Sequence, residues 1–422
     1  MSVSPPIVDW LFLDLNSYFA SVEQQECPDL RGEPIAIVPM PTDATCAIAA
    51  SYEAKAYGIK TGTKIYDAKR MCPRLKCVLA RHDIYVDYHD RILSEFSRHA
   101  PITKVWSIDE WSCKLPPNKR SLPEAIALAK RIKQGIWDNV GKHINCSIGL
   151  AGSGLLAKIA TDIEKPDGLV ALPTESLPGR LTELKLSDIP GIGINMEKRL
   201  NRAGIWTVEQ FWHTSPKQAR KLWGSVGGER FWYQLHGHEI PEQKTNTSMV
   251  GHSRMLDPDL RIPEKAKGIA KRLTIKAAQR LRRKRFYATR FSLSVRTTDK
   301  RHWAQEIHGQ PVDDSVTYLH YLDTLWSAMM YELHPYLLLK VSITMYGLKK
   351  PSEMSYDLFE HAFSAVQEQK KHHTALSNTI ESLNKRFGMD TINFGVPPKT
   401  IAGYVGTKIA FSRVPDKEEF RE

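Results

Sequence analysis

The chain has 422 residues and carries 59 Lys plus Arg against 47 Asp plus Glu, a formal charge of +12. An apolar share of 42% and a charged share of 25% exclude wholesale disorder, and the length suits two to four domains of about 100–200 residues each. No run approaches the roughly 18 apolar residues of a membrane-spanning helix, and the start, Met1 to Pro6, lacks a basic region leading into an apolar one; a cytoplasmic protein with a polyanionic partner, nucleic acid first, is expected.

The apolar run Val8 to Leu13 predicts a strand ending at Asp14, and Asn16 to Gln25 a helix. Ile35 to Val38 reads as a short buried strand. Tyr52 to Tyr57 reads as a helix closed by Gly58. Tyr85 to Ala100 has the spacing of an amphipathic helix. Val105 to Ile108 predicts a strand ending in Asp109 and Glu110, continued by Trp111 to Leu115. A helix over Leu122 to Val140, a strand over Cys146 to Ala151, a helix over Leu155 to Glu164 and a turn at Pro166-Asp-Gly follow. Alternating strands and helices with acids at strand ends imply an α/β or α+β catalytic domain. Six cysteines, none in a C-x-x-C, read as reduced thiols.

Asp188-Ile-Pro-Gly-Ile-Gly and the residues to Ile205 predict a glycine hairpin between two short helices. His236 to Ser248 reads as a polar linker. A second unit begins near Met249. Its predicted order is strand (Val250 to Met255), helix (Pro263 to Lys284), strand (Tyr287 to Arg296), strand (Trp303 to His308), helix (Ser315 to Leu333) and strand (Leu338 to Leu348), a β-α-β-β-α-β or ferredoxin-like arrangement. Along Tyr287 to Arg296, Phe291, Leu293 and Val295 alternate with Arg290, Ser292, Ser294 and Arg296, so one sheet face is packed and the other is polar and basic. A further helix is expected at Ala375 to Arg386.

Four constellations could carry chemistry. Asp14, Asp109 and Glu110 each follow an apolar run, and carboxylates at the ends of adjacent strands can converge on two Mg²⁺ ions about 3.5–4 Å apart, as phosphoryl transfer needs; acids after strands also serve as plain helix caps. Tyr52 and Lys55 share a helix face and could clamp a triphosphate, or belong to a solvated helix. Pro190-Gly191-Ile-Gly193 could offer backbone N–H groups to a phosphate, or be an ordinary helix-turn-helix. Residues 265–301 hold 14 Lys plus Arg and one Asp, a net +13, which leaves the other 385 residues at −1. That segment suits phosphate-backbone contact rather than a merely solvated face.

Together these segments resemble the Y-family (translesion) DNA polymerases. The resemblance rests on Leu13-Asp-Leu-Asn-Ser-Tyr-Phe-Ala-Ser-Val-Glu, Ala50-Ser-Tyr-Glu-Ala-Lys-Ala-Tyr-Gly-Ile-Lys-Thr-Gly, Ser107-Ile-Asp-Glu, Ala157-Lys-Ile-Ala-Thr-Asp-Ile-Glu-Lys-Pro-Asp-Gly and Asp188-Ile-Pro-Gly-Ile-Gly, in the family's order. It covers about residues 7–348. The resemblance implies an α+β, multi-domain, right-handed polymerase: palm (1–15 and 81–172), fingers (16–80), helix-hairpin-helix thumb (173–238), linker (239–248), ferredoxin-like little finger (249–350) and a C-terminal partner-binding extension (351–422).

It also implies roles. Asp14, Asp109 and Glu110, with the Leu15 carbonyl, would hold two Mg²⁺ ions. Ser17, Tyr18, Phe19, Tyr52, Lys55 and Lys165 would bind the nucleotide, with Phe19 as the steric gate beneath the sugar. Gly191, Gly193, Arg282, Arg283, Lys284, Arg285, Arg290 and Arg296 would contact DNA. Asn16 stands where many members have a second Asp, and Gly152-Ser-Gly replaces a Lys-rich stretch of some relatives. Ser355-Tyr-Asp-Leu-Phe resembles the bacterial sliding-clamp peptide, which assigns clamp contact to Tyr356, Asp357, Leu358 and Phe359. The tail faintly resembles that of the polymerase V catalytic subunit, pointing to accessory SOS proteins as partners.

The expected function is template-directed DNA synthesis past lesions, with primer–template DNA and dNTP as substrates and SOS-type mutagenesis as the setting. The alternative is a catalytically inactive scaffold that binds DNA and clamp, which the intact triad disfavours. A nucleotidyl cyclase is disfavoured too, because it needs neither the glycine hairpin nor the basic little finger.

Overall fold

The structure, a computed structural model, describes residues 7–241, 246–353, 364–388, 391–395 and 414. The chain divides into two compact units, Met1–Glu242 with Thr407–Phe420, and mainly Gln243–Gly406. No helix among the described residues is long and apolar enough to cross a membrane.

The first unit is built around β1 (Trp10–Leu15), which leads through a tight turn into α1 (Tyr18–Glu26). There follow β2 (Ile35–Val38), β3 (Ala49–Ala50), α2 (Tyr52–Lys55), α3 (Ile65–Met71) and β4 (Lys76–Leu79). Next come α4 (His82–Ser97), β5 (Lys104–Val105), β6 (Glu110–Lys114), α5 (Leu122–Asn139), β7 (Cys146–Ala151), α6 (Gly154–Ile163) and β8 (Leu169–Leu172). The main sheet has the order β5-β6-β1-β7-β8, and β2, β3 and β4 form a separate sheet of their own. β1 alternates: Leu11, Leu13 and Leu15 sit in the core with Tyr85 and Phe96 of α4 and Ile132 and Ile136 of α5. Phe12 packs on the other side, with Leu156, Ile159 and Ala160 of α6. Gly149 makes that packing close, because a Cβ there would lie 2.0 Å from the Ala157 carbonyl oxygen. The missing side chain on β7 therefore lets α6 lie directly over the strand beside Asp14.

The expected strand over Val105 to Ile108 does not form. β5 stops at Val105, and the chain turns back, the Trp106 and Ser107 amides both donating to the Glu110 carbonyl. Asp109 thus sits in a turn, and Glu110 opens β6 instead of ending a strand. Convergence survives for a different reason: β1 and β6 are antiparallel, so the end of one meets the start of the other, with Asp14 opposite Glu110.

Residues beyond β8 form a helical segment: α7 (Ile194–Arg202), α8 (Val208–Trp212), α9 (Pro216–Trp223) and α10 (Val226–Leu235). Gly191 adopts φ +98 in the hairpin, a conformation only glycine takes cheaply, and Gly193 caps α7. α8 to α10 were not foreseen. Their signal was present: Thr207 with Gln210 and Ser215 with Gln218 are reciprocal capping boxes.

The second unit runs β9 (Met249–Met255), α11 (Pro263–Arg283), β10 (Tyr287–Thr297), β11 (His302–Val312), α12 (Ser315–Leu333) and β12 (Leu338–Lys349), with α13 (Ser364–Phe387) beyond. The β-α-β-β-α-β order is as expected. The sheet order is β11-β10-β12-β9, all neighbours antiparallel, so β12 splits the first β-α-β pair. Phe291, Leu293 and Val295 are buried with Leu273, Ala277 and Leu281 of α11 and Leu322 and Met329 of α12. Arg290 and Arg296 are exposed on the opposite face.

The basic segment is therefore not one surface. α11 covers the packed face of the sheet, while Arg290 and Arg296 point away from it. Several of its charges are also already matched. Lys267 lies 2.7 Å from Asp323 of α12. Arg282, with 8% of its side chain exposed, lies 3.0 Å from Glu381 of α13 and donates to the Asp313 carbonyl at 2.6 Å. The expectation that Arg282 faces DNA is corrected accordingly: in this structure its guanidinium is an interior anchor for α13. Arg283, Lys284 and Arg285 remain exposed where α11 leads into β10. Tyr356, Asp357, Leu358 and Phe359 lie outside the described residues.

Candidate active site

A cavity of about 370 Å³ opens in the first unit where β1 ends. Asp14, Asp109, Glu110 and Leu15 line one side of it. Ser17, Tyr18 and Phe19, at the start of α1, line it too, as do Tyr52, Lys55 and Lys165. Every residue assigned from sequence to catalysis, metal or nucleotide thus borders the same space. Gly191 and Gly193 belong to the helical segment of this unit, and the basic residues from Arg282 to Arg296 to the second unit.

The carboxylates are held in different ways. Asp14 is 6% exposed, and burial alone would raise its pKa. The ammonium groups of Lys158 and Lys165 overcome that and hold it below the usual carboxylate value. Lys158 contacts Asp14 directly and lies 2.7 Å from Glu110; Lys165 is 3.0 Å from Asp14. Burial raises the pKa of Asp109, only partly offset by the Ser107 hydroxyl, which donates to it at 2.5 Å. Burial also raises Glu110, with Lys158 opposing. As the side chains stand, the described residues include no cluster of three or more acids, His or Cys closed around one point. Asp109 is turned to Ser107, and Asp14 and Glu110 are turned to Lys158. The donors are nonetheless hard oxygens, which is the donor chemistry a divalent cation of the Mg²⁺ kind requires.

The nucleotide side is cationic and shaped. Lys55 rests over the Tyr52 ring, 4.3 Å from its centroid, and burial and then Lys165 lower its pKa. Ser17 takes a left-handed conformation at the N-cap of α1, which turns the chain sharply between Asp14 and Phe19. Phe19 stacks on Tyr85 at 4.3 Å and 11°. Asn16 is 2% exposed and does not line the cavity; its side chain joins Ser147 and the Asp167 amide, so it ties β1 to the turn that carries Lys165. Ser153 caps α6 and donates to the Gln234 carbonyl at 2.6 Å.

Lys158, Asp162 and His82 also border the cavity, although no role was foreseen for them. The signal for the first two was the spacing Lys158, Asp162, Lys165, which places all three along one side of α6 and its end.

The impB/mucB/samB family model matches residues 13–162, and the model of that family's C-terminal domain matches 247–358. DNA polymerase IV of Moorella thermoacetica is 30% identical over 401 residues, spanning 92% of this chain and 95% of that protein. The chain belongs to the Y-family of lesion-bypass DNA polymerases. DNA polymerase IV 1 of Bacillus subtilis (strain 168) is 27% identical over 396 residues, spanning 92% of each. Among solved structures, a Y-family DNA polymerase chimera of Dbh and Dpo4 superposes with a TM-score of 0.69 at 22% identity, covering 81% of this chain and 99% of that one. DinB from Sulfolobus solfataricus gives 0.51 at 22% identity, covering 80% and 98%. The multi-domain α+β polymerase fold expected from sequence is borne out, and the chain is a DNA-directed DNA polymerase.

Proposed function

We propose that the cavity joins a dNTP to a primer 3′-hydroxyl under template direction. The observation that carries this is the meeting of Asp14, Asp109 and Glu110 with Tyr52, Lys55, Lys165 and Phe19 in one space. The primer 3′-oxygen forms a bond to the α-phosphorus, the bond from that phosphorus to the bridging oxygen breaks, pyrophosphate leaves, and the hydroxyl proton is released.

Asp14, Asp109, Glu110 and the Leu15 carbonyl would hold the divalent cation, two Mg²⁺ in this reading, which would acidify the attacking hydroxyl and neutralise the leaving group. Lys165, Lys55 and the Tyr52 hydroxyl take the triphosphate, joined by the Ser17, Tyr18 and Phe19 amides at the start of α1. The Phe19 ring lies beneath the sugar and excludes a 2′-hydroxyl. Gly191 and Gly193 offer amides to DNA phosphates. Arg283, Lys284, Arg285, Arg290 and Arg296 supply charge for the duplex in the second unit. In this reading residues 1–15 and 81–172 are the palm, 16–80 the fingers, 173–238 the thumb and 249–350 the little finger. The protein works on primer–template DNA in the cytoplasm, with the sliding clamp and accessory SOS proteins as partners through its C-terminal segment.

Primer extension on damaged and undamaged templates with Mg²⁺ tests the proposal. Wild type should extend, and Asp109→Ala should lose extension while still binding primer–template. Full extension by Asp109→Ala would overturn the assignment.

A further inference from the structure

Lys158 stands where a cation is wanted. Its ammonium group touches Asp14 from β1 and lies 2.7 Å from Glu110 of β6, and only 17% of the side chain is exposed. The antiparallel register makes those two carboxylates cross-strand neighbours, an arrangement of like charges that is unfavourable unless something neutralises it. α6 supplies the neutralisation because Gly149 lets it lie so close to the strands.

The same ammonium has a second acceptor. Asp162, one turn further along α6, lies 3.6 Å from Lys158 and 2.8 Å from Lys165. Asp162 is 38% exposed at its side chain and borders the cavity. Lys158 therefore stands between two carboxylates proposed to hold a divalent cation and one that is not. A flexible four-carbon stem and a compact ammonium can move between such acceptors without disturbing the helix. A divalent cation and an ammonium cannot use the same oxygens of Asp14 and Glu110, so entry of the first displaces the second.

We propose that Lys158 is the counter-cation that bridges Asp14 and Glu110 when no divalent cation is bound, beside Lys165 on Asp14 alone, and that Asp162 is the carboxylate that receives Lys158 when a divalent cation enters. Asp162 is thus a positioning residue, acting through Lys158. The exchange holds Asp14 and Glu110 close together when no divalent cation is bound. It also makes the ion bind less tightly than the carboxylates alone would allow. This inference rests on the reading of Asp14, Asp109 and Glu110 as metal-holding residues.

The test uses the full chain and Mn²⁺ alone, without DNA or nucleotide, with free Mn²⁺ followed by electron paramagnetic resonance. Lys158→Met should bind Mn²⁺ about tenfold or more tightly than wild type, since a positive charge in contact with the site is removed. Asp162→Asn should bind several-fold less tightly. In the double variant the Asp162→Asn effect should shrink to the part exerted through Lys165, which lies 2.8 Å from Asp162 and 3.0 Å from Asp14, whereas a simple loss of negative charge would persist in full. Melting in EDTA gives a second readout: Lys158→Met should melt lower than wild type, and Mn²⁺ should raise it by more. A folded Lys158→Met that binds Mn²⁺ no more tightly than wild type overturns the exchange. If Lys158→Met does not fold, unchanged affinity in Asp162→Asn overturns it instead. Asp14→Asn separates the two readings. Mn²⁺ binding unaffected by Asp14→Asn overturns the metal-holding assignment and the exchange with it. Binding lost in Asp14→Asn but unmoved in Lys158→Met overturns the exchange alone.

Discussion

Removing the Phe19 ring should admit ribonucleotides, and the structure sets how much. The ring cannot retreat. It is stacked at 4.3 Å on Tyr85, which is 0% exposed. The Tyr85 hydroxyl donates to Glu23 at 2.8 Å, and burial and then Glu23 push that phenol up, so it stays a donor at working pH. Glu23 is itself 1% exposed and receives the Arg81 guanidinium at 2.5 and 3.1 Å. An extra hydroxyl pressed against so firmly backed a ring is an overpacked contact, costing about 1–3 kcal/mol. At about 1.36 kcal/mol per decade of rate, that is roughly 5- to 150-fold. Phe19→Ala should therefore raise kcat/KM for a ribonucleotide by that factor while changing the matching deoxyribonucleotide far less. Tyr85→Leu keeps the ring but removes its backing, and should relax discrimination by a smaller factor. Single-nucleotide primer extension with paired ribo- and deoxyribonucleotides measures both. A selectivity ratio unchanged in Phe19→Ala would show that the ring does not lie beneath the sugar, and equal relaxation by both variants would show that backing is not what holds it.

Three further outcomes are expected. Burial raises the pKa of Asp109, so that group favours the folded state most when protonated; its contribution is present at low pH and is lost as the pH rises through the raised value. Asp109→Asn should therefore melt a few degrees higher than wild type in EDTA near neutral pH, and the gap should close as the pH falls toward the ordinary Asp value of 3.8; a gap independent of pH contradicts this. In salt titrations of DNA binding by fluorescence anisotropy, Arg290→Ala with Arg296→Ala should flatten the log–log slope by about 2, while Lys267→Ala with Lys271→Ala, already facing Asp323, should barely change it. The larger loss from the helix pair would reverse the assignment of faces. Glu381→Ala should cost about 1.5–3 kcal/mol, because it strips a charged hydrogen-bond partner from the largely buried Arg282; an unaltered Tm and unaltered proteolysis of α13 would show that the pair contributes nothing.

What the sequence revealed, and what it hid, follows distance along the chain. β2 and β7 were legible to the residue because each is a short apolar run bounded by turn formers. The gathering of Asp14, Asp109 and Glu110 was legible from motif context, but the strand drawn through Ile108 was not real. An apolar run cannot announce that its backbone donors will be used by a turn, as those of Trp106 and Ser107 are. The basic segment misled for a related reason. Charge counted in a window sees neither Asp323 opposite Lys267 nor Glu381, 99 residues beyond Arg282. Lys158 and Asp162 were inside a quoted motif, yet their use depends on a helix lying against the sheet at Gly149, which spacing alone does not encode.

α13 begins at Ser364, beyond residue 358 where the family's C-terminal domain model stops. It nevertheless gives Glu381 to Arg282 and gives the Ser377 hydroxyl, itself 1% exposed, to the Ser315 amide at the start of α12. Domain exchange among relatives would meet that dependence at once. A graft cut where the family likeness ends would carry Arg282 and Ser315 into the hybrid and leave their partners behind. The usable seam for recombining this unit lies past α13, beyond the partners of Arg282 and Ser315.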